Sequence, residues 1–506
     1  MKIFGYEIKL RRVRNNYAAA KRDRLTEDWV TGGNLVADQI LRWQLTTLRG
    51  RSRDLWQNND YVKNFGRKLK TNVVGHNGIT LQSKIHFAGG GLHRTANAQV
   101  EAAWAKWATK KNASVTGQLS LTDILCLVIE AVARDGEVLI RKHKGYSGNK
   151  FRFALQVLEA DHLDEAHNND LPNGNRIRMG IEKNDFDRPV AYHLRRRHPG
   201  DYGAGTWHGV DMVRVPADEI IHLYVQDRPS QTRGVPWIHT AVMKLRNLGA
   251  YEEAAVINAR VGASKMGFIV DPPDGEYTGD AQDGMGNVIS EVEPGILERL
   301  PSGADFKEFK TEYPTGEFPL FTKAMLRGAA SGMGCSYNSL ANDLEGVNFS
   351  SLRSGLLEER DGWKMVQRWF VEHVLDDIFA DFVPMAILSG QLSLAAADMD
   401  KWICPKWQAR TWEWVDPLKD IKARVEALDA GLTSRTMICA EQGIDFADLL
   451  EQLAEEKKLM AAYGVTFGGG ELVVGAEPGD GIEGKKHLGG GNGKILADAG
   501  QSNGHC

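Results

Sequence analysis

The chain has 506 residues, 42% hydrophobic and 25% charged, enough apolar material for a large core and for two to four structural units without covalent staples. Its five cysteines, Cys126, Cys335, Cys404, Cys439 and Cys506, are scattered and form no CxxC. That argues against a disulfide framework or a zinc ribbon and for a reducing cytoplasm. The net charge of −4 conceals an asymmetry: residues 1–115 hold 21 Lys and Arg against 8 Asp and Glu (+13), the remainder 41 against 58 (−17). A basic front suggests anionic partners near the N-terminus, although a solvated basic arm and helix face would carry the same charge.

The first residues lack the apolar core of a signal peptide, and no run of about 18 apolar residues occurs, so no membrane span is expected. Residues 1–35 read as a basic flexible arm. Val36, Ile40, Leu41, Leu45, Leu48, Leu55, Tyr61, Val62, Phe65 and Leu69 recur at helical spacing. The stretch Val73 to Leu81 reads as two strand-like runs around a turn, and helices are expected over 97–108 and 121–134. Residues 136–226 carry short β-type runs at 138–140, 151–157, 177–181, 190–194, 210–215 and 220–225. Helices before and after such a set predict an α+β fold rather than βαβ alternation.

A long helix is expected from Pro236, suited to a first helical position, to about residue 265; at 1.5 Å per residue that is roughly 45 Å. Residues 266–318 follow, punctuated by Gly and Pro; from Asp271 to Glu317 they hold 12 acidic residues against Arg299, Lys307 and Lys310. A shorter helix is expected over 319–333, then a polar stretch over 334–349. A second long helix starts near Ser350 and Ser351 and follows Leu352, Leu356, Trp363, Val366, Phe370, Val374, Ile378 and Phe382 to about Val383. After Trp402, Trp407, Trp412 and Trp414 the pattern is helical again over 417–463. Residues 464–506 include 14 glycines without a G-X-Y period, the composition of a disordered tail.

Catalytic chemistry is hard to find. Gly479-x4-Gly484-Lys485 lacks the hydroxyl residue of a phosphate loop, since Lys486 follows, and lacks its strand and helix. His162 and His167 could approach one metal, but Cys and His do not recur at zinc spacing, so solvated or core-edge histidines read better. Glu159-Ala160-Asp161 and Asp398-Met399-Asp400 are acidic pairs without a third carboxylate, too little for a two-metal nuclease. Arg195-Arg196-Arg197 fits a phosphate patch or a solvated strand end equally. The tryptophans of 402–414 could stack bases, although packing at a junction is the better reading.

Several segments resemble a known family. Arg51-Ser52-Arg53-Asp54-Leu55 with Asn58-Asn59, and Asn72-Val73-Val74-Gly75, are similar to the N-terminal signature of lambda-type phage portal proteins. Glu159-Ala160-Asp161-His162-Leu163-Asp164, Arg188-Pro189-Val190-Ala191-Tyr192-His193, Gln231-Thr232-Arg233-Gly234-Val235-Pro236-Trp237 and Asn348-Phe349-Ser350-Ser351-Leu352-Arg353 resemble later parts of that family in order. Phe349 stands where a Tyr is expected, and Asn342 where a Gly is expected.

The resemblance implies a ring subunit with long stem and wing helices, a β-rich wing, a small clip and a helical crown. In this sequence it maps the wing to 36–235, a stem helix to 236–265 and the clip to 266–318. A second stem helix falls at 319–333, a tunnel loop at 334–349, the long wing helix with its return at 350–416, and the crown at 417–463. It implies a closed homo-oligomer of about twelve chains at one capsid vertex, assembled in a bacterial cytoplasm and retained in the virion. Expected partners are double-stranded DNA read without sequence specificity, terminase, neck or head-completion proteins, and capsid and scaffold proteins, with no membrane, cofactor, metal or catalytic residue. Candidate DNA-contacting residues are Asn338, Asn342, Asp343, Asn348, Ser350 and Arg353. Another head–tail connector or adaptor is the nearest alternative, and a metal-dependent DNA-processing enzyme a more distant one.

Overall fold

The computed structural model describes residues 2–3, 6–7, 33–201, 211–263, 267–270, 305–308, 316–412, 417–441 and 446–464. They belong to two compact units, Met1–Glu413 and Trp414–Cys506. The expected arm opens on a short hairpin, Lys2–Ile3 (β1) against Tyr6–Glu7 (β2). The expected tail, the Gly479 to Lys485 stretch, Trp414 and most of the acidic segment 271–317 lie outside the described residues.

The helical pattern of residues 36–71 is realised as two helices, Ala37–Asn58 (α1) and Asp60–Leu69 (α2). The break falls at Asn59, whose extended backbone and side-chain oxygen, accepting from the Val62 N–H at 3.1 Å, cap α2. Lys70–Val74 continues as one π-type turn that Gly75 ends at φ +79°. Val73 and Val74 are therefore helical, not strand: both are fully buried on the helical face, and tertiary packing overrides their β preference. The strand nearby is Thr80–Ser83 (β3). Arg94–Trp107 (α3), the single turn Lys110–Ala113 (α4) and Leu121–Asp135 (α5) follow. In α5 Ser120 and Asp123 form a reciprocal capping box, Ile124, Leu125, Val128, Ile129 and Val132 are buried, and Gly136 closes the helix at φ +89°.

Glu137–Lys144 (β4) and Phe153–Glu159 (β5) form an antiparallel sheet with Ile220–Tyr224 (β11), in the order β11-β4-β5. A second sheet runs Met212–Pro216 (β10), Pro189–Arg195 (β9), Ile181–Lys183 (β8), Arg176–Arg178 (β7) and Asn169–Asp170 (β6). Side chains of β4 alternate between two cores: Val138 and Ile140 enter the main one, while Leu139 packs with Leu163, Ile181, Tyr192, Leu194, Val215 and Ile220. The expected single run 177–181 is instead a hairpin, because Met179 and Gly180 both take positive φ, +47° and +85°.

The first long helix, Val242–Ala263 (α6), starts six residues later than Pro236 predicts. The Trp237 N–H bonds to the Ala133 carbonyl, and residues 238–241 make tight turns before the helix begins. Gly267–Val270 (β12) pairs with Asp305–Glu308 (β13). Phe318–Met333 (α7) has Pro319 in its first turn and Gly334 as C-cap. A short helix Tyr337–Ala341 (α8) precedes Phe349–Phe370 (α9). The latter passes through a π turn, Val371–Leu375, into Asp376–Leu388 (α10). The second long helix thus runs beyond the expected Val383 and encloses Pro384, about 60 Å in all at 1.5 Å per residue. Its buried Phe379 and Phe382 meet Trp104 at ring separations of 5.5 and 5.1 Å. Pro405–Gln408 (β14) pairs with β3. Trp407, on β14, lies 5.4 Å from Trp104, and Trp402 and Trp412 are likewise partly buried against the core.

The C-terminal unit consists, among the described residues, of Pro417–Asp429 (α11), Arg435–Glu441 (α12) and Phe446–Tyr463 (α13). No helix among the described residues is long and apolar enough to cross a membrane.

Candidate nucleic-acid interface

The stretch expected to be an irregular loop, 334–349, holds helix α8 and is tied to three neighbouring helices. Gly334 at φ +69° ends α7, and Ser336 caps α8 by accepting from the Ser339 N–H. Asn342, at φ +52°, ends it in the left-handed region that Asn tolerates better than most residues. Asn64 of α2 donates to the Ser339 and Leu340 carbonyls, at 3.0 and 2.8 Å, and Leu340 is buried. The Ser336 hydroxyl donates to Glu359 of α9 at 2.7 Å. Toward α7, the Asp343 carboxylate accepts from the Tyr337 hydroxyl at 2.6 Å and pairs with Lys323 at 3.3 Å. Arg327 lies over the Tyr337 ring, 5.5 Å from its centroid.

These contacts set the local electrostatics. The Tyr337 hydrogen bond, with help from the Glu345 N–H and Lys323, brings the Asp343 carboxyl down to about 2. Burial and the same bond push the Tyr337 phenol up to about 12. Lys323 is raised through its bond to Asp343. Burial moves the neighbouring Cys335 thiol up to about 12, leaving it inert at neutral pH.

The six candidate residues therefore divide. Asn338 and Asn342 line one cavity of about 260 Å³ together with Lys68, Leu344, Leu352 and Gly355. Asp343 is committed to Tyr337 and Lys323. Asn348 caps α9, its side-chain oxygen accepting from the Ser351 N–H at 2.8 Å. Ser350 is exposed in the first turn of α9, and Arg353 is half-buried one turn further on. What stands most clear is the tip, where Leu344 is 63% exposed and the Glu345 side chain 85%.

The other sequence candidates resolve into ordinary contacts. His162 bonds to the Arg195 carbonyl, while His167 packs on His193. Arg195 pairs with Asp164 and Arg196 with Asp211. Asp398 pairs with Lys401. Glu159, Asp161 and His198 converge, but the Arg53 guanidinium sits 2.5 Å from Asp161 and 3.5 Å from Glu159, so a positive charge already occupies the cluster.

Sequence reasoning missed a buried ionic junction. Glu137, at the start of β4, receives Arg233 at 2.7 Å, Arg49 at 2.9 Å and His222 at 2.8 Å. Arg49 also reaches Asp161 and Glu165, and Arg53 bridges Asp135 and Asp161. Burial would raise the Glu137 carboxyl, but the Arg233 charge and the His222 bond outweigh it and hold it far below the usual carboxylate range. Burial keeps His222 low and hence neutral. The signal was present, since Arg53, Asp161 and Arg233 lie inside the quoted signature segments. Their common purpose shows only when the chain folds and α1, β4, β5 and the 231–237 turn meet.

The architecture is an α+β scaffold with an internal salt-bridge hub. The family model described as phage portal protein, lambda family, matches residues 22–367. The chain belongs to the lambda family of phage portal proteins, structural components of the virion and not enzymes. The probable portal protein of Halomonas phage phiHAP-1 is 36% identical over 456 residues, spanning 89% of this chain and 87% of that protein. Portal protein B of Escherichia phage lambda is 20% identical over 468 residues, 85% and 86% of the two chains. Among solved structures, a chain from the neck of an empty GTA particle, computed with C6 symmetry, aligns with TM-score 0.43 and 16% identity, covering 79% of this chain and 93% of that one.

Proposed function

We propose that the chain closes into a ring, a dodecamer, at one capsid vertex and forms the conduit through which double-stranded DNA is packaged and ejected. In this reading 334–349 borders the channel, 266–318 meets terminase and then the neck or head-completion proteins, and capsid and scaffold proteins contact the ring's outer parts. The supporting observation is the held segment itself. It is anchored to α2, α7 and α9, yet its tip at Leu344 and Glu345 stays exposed. A part that guides a moving duplex needs a fixed position without a firm grip, and an acidic or uncharged tip neutralises no phosphate. The −17 charge of residues 116–506 acts in the same direction.

Asn338 and Asn342 face the cavity beside the tip, and Arg353 lies in the second turn of α9. We assign them to support of the tip or to weak, sequence-independent phosphate contacts. The test replaces Leu344, Glu345 and Val347 with glycine, which keeps α8, the Asp343 contacts and the buried Leu340. Variant rings built into procapsids should package or retain less DNA than the parent. Equal packaging and retention would reduce the segment to an interhelix connection.

A further inference from the structure

The cavity beside the tip is lined by two kinds of polar group. Ser336 and Ser351 are committed: Ser336 donates to Glu359 at 2.7 Å, and Ser351 to the Asn348 carbonyl at 3.1 Å. Lys68, Asn338, Ser339 and Asn342 are not, for their side chains make no hydrogen bond or ion pair among the described residues. Lys68 is half-buried, so its ammonium has given up part of its hydration without gaining a counter-charge. The remaining wall is apolar, Leu344, Leu352 and Leu356 around Gly355. Gly355 leaves a flat floor, since a Cβ there would meet nothing within 4 Å.

We propose that this cavity takes one unpaired nucleotide of a DNA strand, an assignment that rests on the conduit reading above. An ammonium meets a phosphate, carboxamides match the adjoining donor and acceptor of a base edge, and leucines cover the ring faces. The size agrees. About 260 Å³ lies just under the roughly 300–1,000 Å³ of small-molecule pockets, space for one nucleotide and too little for a base pair with its two backbones. A base inside the duplex has its pairing edge used and its faces stacked, so it offers the cavity nothing but phosphate. An intact duplex therefore passes, whereas a single-stranded end is held.

Full-length rings are tested with a fluorescent blunt duplex and with the same duplex bearing a short single-stranded overhang. The overhang should tighten binding about tenfold, and excess deoxyadenosine monophosphate should compete that gain away. Gly355→Leu fills the floor from a position where its Cβ meets no neighbour, and should bring the two duplexes level. Lys68→Ala should likewise remove the preference, whereas Lys63→Ala, exposed on the same helix and outside the cavity, should keep it. Equal binding of the two duplexes by the parent, or a preference that survives either cavity variant, would overturn the assignment. Mononucleotide binding without an overhang preference would overturn it too, by giving the cavity to free nucleotides. Packaging by parent rings separates the two readings: rings that package DNA but show no preference lose this site alone, whereas rings that package nothing lose the conduit.

Discussion

Glu137 and Arg233, 96 residues apart in sequence, meet at 2.7 Å with neither side chain exposed to solvent. Arg233 spends its remaining donors on the Met179 and Ala160 carbonyls, at 3.0 and 3.1 Å. One guanidinium thereby joins the start of β4, the end of β5 and the β7–β8 turn. Met179 and Gly180 both take positive φ, as the two-residue turn between these strands requires.

Removing one charge from this hub should be costly. Glu137→Gln leaves Arg233 and Arg49 buried beside a neutral amide, and loss of one member of a buried pair typically costs about 3–5 kcal/mol. Arg233→Lys should be nearly as harmful, because an ammonium cannot reproduce the planar fork. Urea unfolding would show both as lowered midpoints. An unfolding free energy for either variant within about 0.5 kcal/mol of the parent would mean that the hub is not a source of stability.

Glycine replacements should split by position. A Cβ on Gly234 would lie 2.1 Å from the Gly136 carbonyl oxygen, a backbone atom that cannot swing away. Gly234→Ala should therefore fail to fold or lose several kcal/mol of stability. Gly362, inside α9, has nothing within 4 Å of the same position. There alanine should stabilise the monomer by about 0.5–1 kcal/mol. Paired thermal melts decide the matter, and equal effects at both sites would contradict the geometry.

Much of this architecture was legible because it rests on local patterning. The α5 helix was readable from Ile124, Leu125, Val128 and Val132, and the β-rich middle from short apolar runs between turn formers. What escaped depends on tertiary contact. The Met179-Gly180 turn lacks the Asn-Gly signal, and the donor that meets its carbonyl, Arg233, comes 54 residues later. The late start of α6 reflects the tight turns that close on Pro236 and Ile238 before it. Helix α8 was read as loop because its polar Asn338 and Ser339 hid one buried anchor, Leu340, and an anchoring donor, Asn64, more than 270 residues earlier.

A pH effect is expected from Glu182, which is 1% exposed and accepts from Arg214, Asn175 and His193. The Arg214 bond leads in lowering its carboxyl from 4.5 to about 2. A depressed carboxyl stabilises the fold fully above its ordinary value and loses that contribution as pH falls toward the folded value. The stability gap between the parent and Glu182→Gln should thus be constant above about pH 5 and shrink between about pH 4.5 and 2. A gap independent of pH over that range would assign the effect to shape, not charge.

The last prediction concerns the catch between Asp343, Tyr337 and Lys323. Asp343 orders the turn after α8 in two ways: one oxygen accepts from the Glu345 N–H at 2.9 Å, the other from the Tyr337 hydroxyl at 2.6 Å. Lys323 closes the catch from α7. Tyr337→Phe removes one bond and leaves the turn and the ion pair, whereas Asp343→Ala removes all three contacts. Because the anchors at Asn64 and Ser336 are untouched, neither change should unfold α8. Amide exchange of residues 343–348 should therefore accelerate strongly in Asp343→Ala and weakly in Tyr337→Phe, with residues 337–341 unchanged in both. Uniform acceleration across 334–349 would show that the segment moves as one piece and that Asp343 does not set the position of its tip.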